Sequence, residues 1–133
     1  MTRRIALITL VVRDYDEAIG FYVGRLGFRL IEDSDLGDGK RWVVVASGAG
    51  DARLLLAQAA NDRQAARIGD QTGGRVALFL ETDDFARDHA AFVAAGVNFI
   101  EEPRRESYGV VAVFEDIYGN RWDLIEPRAA KDS

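Results

Sequence analysis

The sequence predicts an α+β fold: two paired β-α-β-β-β modules forming a curved mixed sheet around a cleft, with the helices on the outer face. Three observations lead there. Short apolar, β-branched runs alternate with Gly- and Asp-rich turns. An amphipathic helical stretch follows the first strand of each half. The landmarks of the first half then recur about 70 residues on: Asp14-Tyr15 matches Asp84-Phe85, Gly27 matches Gly96, and Leu30-Ile31-Glu32 matches Phe99-Ile100-Glu101. One half cannot bury both faces of its own sheet, whereas two halves side by side can. The reading is one domain over residues 1–133, with modules at 4–58 and 75–127 joined by 59–74.

Ile5–Val12 is apolar and reads as the first strand. Asp14 opens a helix, with Glu17 at capping-box spacing and the acids well placed for the helix dipole. Tyr15, Ile19, Tyr22 and Leu26 form its apolar stripe, and Gly27 ends it. Strands are predicted at Phe28–Ile31, Trp42–Ala46 and Arg53–Ala57, with turns at Asp33–Lys40 and Gly48–Asp51. Ala59–Gly74 is polar and Ala-rich and reads as a connecting segment, partly helical between Asp62 and Ile68. The second half repeats the pattern with a strand at Arg75–Glu81. Asp83 or Asp84 then caps a helix carrying Phe85, Phe92 and Val93, which Gly96 ends. A strand at Val97–Glu101, a loop at Pro103–Ser107, a strand at Val110–Phe114, a turn at Asp116–Asn120 and a last strand at Trp122–Ile125 complete it. The tail after Pro127 is small and charged and reads as loose.

Composition narrows the chemistry. The 133 residues carry a net charge of −5, with no cysteine and one histidine. No disulfide, thiol nucleophile, Cys-based metal site or His-rich metal cage fits one such chain, so a metal would need oxygen ligands. No basic stripe with interleaved aromatics marks a nucleic-acid binder. Arg3-Arg4 followed by apolar residues looks briefly like a signal peptide. The run is short and meets Arg13, Asp14 and Asp16 at once, so a strand is the better reading. No run approaches a membrane span, and a cytoplasmic location is expected.

The repeat resembles the vicinal oxygen chelate superfamily: glyoxalases, bleomycin resistance proteins, extradiol dioxygenases and their relatives. The first half carries the likeness in Leu10-Val11-Val12-Arg13-Asp14-Tyr15-Asp16-Glu17-Ala18-Ile19-Gly20-Phe21-Tyr22 and Leu26-Gly27-Phe28. The second half carries it in Asp83-Asp84-Phe85, Ala94-Ala95-Gly96-Val97, Glu102-Pro103, Tyr108-Gly109, Val113-Phe114-Glu115-Asp116 and Tyr118-Gly119-Asn120-Arg121-Trp122-Asp123-Leu124. Such motifs speak for the fold more than for a reaction.

Metal-using members place ligands on the first and last strands of each module, facing the cavity. The resemblance puts Leu7, Ala77 and the run Leu54–Leu56 at three of these positions and Asp123 at the fourth, where glutamate is usual. The expectation is therefore no cofactor and no bound metal. Strand alternation then aims Thr9 and Val11, Phe79 and Glu81, and Arg121, Asp123 and Ile125 into the cleft, with Trp122 and Leu124 toward the helices. The predicted site is Asp123 as the catalytic or hydrogen-bonding carboxyl, with Thr9, Trp42, Phe79, Glu81, Tyr108 and Arg121 binding ligand. An ion pair of Asp123 with Arg121 or Arg53 is the structural alternative. His89, between Phe85 and Phe92, is expected at the helix–sheet seam, hydrogen-bonded and outside the site. Ile117 stands where similar proteins carry proline, which predicts a looser turn.

Two functions follow from the resemblance. The first is a metal-independent binder of a small metabolite or drug-like compound, a homodimer with no nucleic-acid or membrane partner. The second is a glyoxalase- or dioxygenase-type enzyme that uses Asp123 in acid–base chemistry or a metal at another place.

Overall fold

The computed structural model describes residues 2–48 and 52–128. Most of the turn expected at Gly48–Asp51, and the tail beyond Arg128, lie outside the described residues. The chain forms two compact units, Met1–Gln71 and Thr72–Ser133.

The first unit contains β1 (Ile8–Val12), α1 (Tyr15–Ile19), β2 (Arg29–Gly37), β3 (Lys40–Ala46), β4 (Arg53–Gln58) and a short α2 (Asp62–Ala65). Its sheet runs β1-β4-β3-β2, with β1 parallel to β4 and the other pairs antiparallel. The second unit repeats this with β5 (Val76–Glu81), α3 (Phe85–Ala94), β6 (Asn98–Phe99), β7 (Arg104–Glu106), β8 (Gly109–Glu115) and β9 (Arg121–Pro127). Its order is β5-β9-β8-β6, and β7 also pairs with β8. The predicted β-α-β-β-β repeat is present, with β6 and β7 together in the place that β2 fills in the first unit.

Both helix starts follow from the capping acids. Asp14 Oδ2 accepts from the Glu17 amide at 2.8 Å, and Asp84 Oδ1, not Asp83, accepts from the Arg87 amide at 3.1 Å. After Ile19 the first helix widens into a π-helical stretch, Gly20–Arg25, where the Leu26 amide reaches back to the Phe21 carbonyl at 3.0 Å. The wider turn seats the adjacent aromatics Phe21 and Tyr22 together in the core, edge to face at 5.0 Å. A regular 3.6-residue stripe accounts for Tyr22 and leaves Phe21 out.

Each helix covers one face of its own sheet. In the first unit Leu10, Val12, Val43, Val45, Leu54 and Leu56 are buried beneath it. In the second, Phe114 and Trp122 stack at 5.8 Å while Phe92 meets Phe114 edge-on at 5.7 Å. Each fully buried side chain of this size contributes about 2–3 kcal/mol.

Several boundaries differ from the expected ones. The first strand begins at Ile8 rather than Ile5. The segment Asp33–Lys40 is not one turn: β2 runs on to Gly37, and only Asp38-Gly39 turns the chain, at φ of 56° and 79° with Gly37 and Lys40 as the closing pair. Positive φ at both central residues is the geometry Asp-Gly supplies in a two-residue hairpin. The loop read over Pro103–Ser107 contains β7, and the strand read over Val97–Glu101 shrinks to Asn98–Phe99. The segment 59–71 is not a free connection. Its helix is confined to Asp62–Ala65, and Gln71 bonds β1 with both ends of its amide, accepting from Val11 N at 2.9 Å and donating to Thr9 O at 2.7 Å. The turn at Ile117 is not loose: Asp116 holds it by accepting from the amides of Tyr118 and Asn120. No helix among the described residues is long and apolar enough to cross a membrane.

Candidate functional site

Strand pairing decides which side chains share a face, because directly paired residues point the same way and neighbours along a strand alternate. In the second unit Phe79 pairs with Asp123 and Asp123 with Val113, so these three form a row across β5, β9 and β8. Glu81, Ile125, Val111 and Arg104 form the next row. Trp122 and Leu124, one step away along β9, are buried on the helix side. The Asp123 face is thus the one the helix leaves uncovered.

Asp123 Oδ1 is buried and accepts no hydrogen bond among the described residues. Asp123 also forms no ion pair there, so the pairing with Arg121 or Arg53 weighed above is not made. Arg121 is exposed and donates instead to Gly74 O at 3.3 Å. Burial pushes the Asp123 carboxyl above the ordinary aspartate range; the Arg104 guanidinium pulls it back and the Glu101 carboxylate adds to the rise.

Glu101 and Arg104 are the residues that sequence reasoning missed. Arg104 Nε donates to both Glu101 oxygens at 3.1 Å, and its Nη1 donates to Glu106 at 2.6 Å. Glu101 Oε2 accepts in turn from the amide of Val113, the residue paired with Asp123, at 2.9 Å. Their signal lay in opposite charges three apart around Pro103, Glu101 at the end of the predicted strand and Arg104 in the stretch read as a loop.

The remaining predicted residues fall as follows. Phe79 is 65% exposed on β5, and Glu81 is exposed at its end. Tyr108 is 51% exposed in the two-residue turn between β7 and β8, beside Arg104. Thr9 and Trp42 belong to the first unit and line a cavity of about 660 Å³ there, with Leu36, Lys40, Leu55 and Ala57 among its other walls. Trp42 keeps 36% of its surface exposed. The cavity sits where the β2–β3 hairpin faces the end of β4. Leu36 and Lys40 were not foreseen, because their stretch carries no apolar periodicity. His89 lies outside these groups: its ring stacks on Phe85 at 5.3 Å and tilts against Phe99 at 4.4 Å, and among the described residues ring packing holds it where a hydrogen bond was expected.

An ionised Asp123 sits uneasily where its oxygen has no partner. A carboxyl whose folded value is raised binds its proton more tightly in the native than in the unfolded protein. Its drag on stability therefore sets in as pH rises from the ordinary aspartate range through the raised value, and stays constant above it. Asp123→Leu is expected to gain about 1 kcal/mol at neutral pH and less in acid. Urea denaturation of both proteins across that pH range checks the sign. A pH-independent difference would contradict it.

Two open faces beneath one repeated β-α-β-β-β pattern, one with a cavity and one with an orphaned carboxyl, define a class of small-ligand scaffold. The family model described as Glyoxalase/Bleomycin resistance protein/Dioxygenase superfamily matches residues 4–124, and the chain belongs to that superfamily. An uncharacterized protein of Shewanella frigidimarina (strain NCIMB 400) is 52% identical over 128 residues, 95% of each chain. Among solved structures, UcmS2 is similar at a TM-score of 0.81 and 27% identity, covering 95% of this chain and 99% of its own. TnmS3, an antibiotic binding protein from Streptomyces sp. CB03234, is similar at a TM-score of 0.78 and 30% identity, covering 96% and 98%.

Proposed function

We propose that the chain is a small-molecule-binding protein of the cytoplasm, a homodimer, that takes up a metabolite or drug-like compound without the metal centre its metal-using relatives build. The observation that carries this reading is the buried, unpartnered Asp123 oxygen on the open face of the second unit. An orphaned buried acceptor is costly, and a ligand donor removes the cost. The exposed Phe79 beside it supplies apolar surface on the same face, and the first unit separately holds a cavity walled by Trp42, Leu36 and Leu55. The likeness to TnmS3 supports the same class of ligand.

The donor set does not fit the superfamily's metal. Leu7, Ala77 and Leu54–Leu56 offer no coordinating side-chain atom, and Asp123 is one carboxylate. No three His, Asp or Glu side chains among the described residues gather as ligands. One carboxylate does not hold Zn²⁺ or Fe²⁺. Metal analysis of protein purified without chelators tests this: stoichiometric metal lost on Asp123→Asn would overturn the metal-free reading.

A thermal-shift screen of metabolites, aromatic catabolites and antibiotics tests the ligand reading. Asp123→Asn is expected to weaken a ligand that donates to Asp123 by about tenfold or more. An Asp123-independent ligand would move the site elsewhere. The raised proton affinity of Asp123 favours one second reading, an enzyme in which this carboxyl is the general base. In that case Asp123→Asn abolishes turnover while substrate binding persists.

A further inference from the structure

The Asp123 face has a charge and an aromatic group that together select among ligands. Phe79 is paired directly with Asp123 and is 65% exposed. Glu81 lies two residues along on the same face of β5, exposed. The charged groups that face or border Asp123 are Glu81 on β5, Arg121 on β9, Arg104 and Glu106 on β7, and Glu101 just before β7. Both arginines are already engaged: Arg104 by Glu101 and Glu106, Arg121 by the Gly74 carbonyl. Among the described residues the carboxylates therefore outnumber the guanidiniums, and neither Asp123 nor Glu81 forms an ion pair with an arginine.

We propose that this face binds an organic ammonium ion on an aromatic or apolar scaffold, its N–H donated to Asp123, its charge balanced by Asp123 and Glu81, and its cationic end against the Phe79 ring. The proposal rests on reading the face as a ligand site and names the class of ligand. A cation is drawn to the face of an aromatic ring and to nearby carboxylates, whereas an anion there meets more carboxylates than guanidiniums. A neutral donor satisfies the orphaned oxygen but gains nothing from Glu81. The ammonium ion also favours the ionised form of Asp123, so binding tightens as pH rises through that group's titration.

Three probes of one shape separate these cases: 1-naphthylmethylammonium, 1-naphthalenemethanol and 1-naphthoate, followed by calorimetry and naphthalene fluorescence. The ammonium is expected to bind at least about tenfold tighter than the alcohol, with naphthoate weakest. Glu81→Gln and added salt should narrow the gap, and Phe79→Leu should weaken the ammonium more than the alcohol. Both substitutions are at exposed positions, and circular dichroism confirms that the variants fold. An alcohol that binds as well as the ammonium, or a preference untouched by Glu81→Gln and Phe79→Leu, overturns the proposal. If the alcohol or another neutral compound binds and is lost on Asp123→Asn, the cation inference falls and the ligand site stands. If neither the probes nor the broad screen yields a ligand sensitive to Asp123→Asn, both fall.

Discussion

Gly109→Ala is expected to destabilise the protein by about 3 kcal/mol or more. Gly109 opens β8 at φ +150°, and a Cβ built there would lie 2.2 Å from the Glu126 carbonyl oxygen and 3.1 Å from the Arg128 amide. Both obstacles are backbone, so no side chain can swing aside. Relief requires the start of β8 to leave β9, breaking the Gly109–Pro127 pairing and the 2.7 Å bond from Arg128 N to Tyr108 O. Tyr108 and Arg104 would move with it, so ligand binding on the Asp123 face should also weaken. Urea denaturation measures the first effect. Ser107→Ala, in the exposed turn, is the control and should stay within about 0.5 kcal/mol of the parent. A Gly109→Ala protein of parental stability would mean that this edge yields freely.

Asp116→Ala is the second large loss, at about 3 kcal/mol. The Asp116 carboxylate is buried between β8 and β9. It accepts from the amides of Tyr118 and Asn120 and from Asn120 Nδ2, each at 2.9 Å. Alanine would leave the Asn120 donors buried and unpartnered. Removing both partners in Asp116→Ala/Asn120→Ala should cost less than the sum of the single changes, since the second loses a group already orphaned. Strict additivity in a thermal or urea series would contradict the arrangement. This turn also sets where β9 begins, and Asp123 lies three residues past Asn120. A one-residue slip would turn Asp123 toward the helix side.

The repeat, the two capping aspartates and the buried face of each sheet were legible because each leaves a local mark. Asp14 and Asp84 precede helical stripes, and Trp122 and Leu124 alternate with Asp123. What escaped notice were elements whose strand character comes from a partner. The far half of β2 and all of β7 are polar sheet-edge segments with no apolar face to alternate, so their pairing with β3 and β8 is visible only once those strands are placed. The same cause hid Arg104, which reaches the Asp123 face through the β7–β8 pairing, Glu101, which is bonded to Arg104 and to the Val113 amide, and Leu36 and Lys40, which reach the Trp42 cavity through the β2–β3 hairpin. The face of Asp123 could be read from alternation, but the missing partner of its oxygen could not, since that depends on where every neighbouring donor ends up.

The outer strand of the first sheet bears on how copies of this chain can meet. β2 carries Glu32, Asp33 and Asp35 and breaks register with β3 twice, between Leu30 and Glu32 and between Asp35 and Gly37. A bulged, acidic edge repels its own image and offers no straight row of free amides and carbonyls to a newcomer. Joining of sheets through β2 into ribbons or fibrils is thereby discouraged, and self-association of the protein is directed to other surfaces.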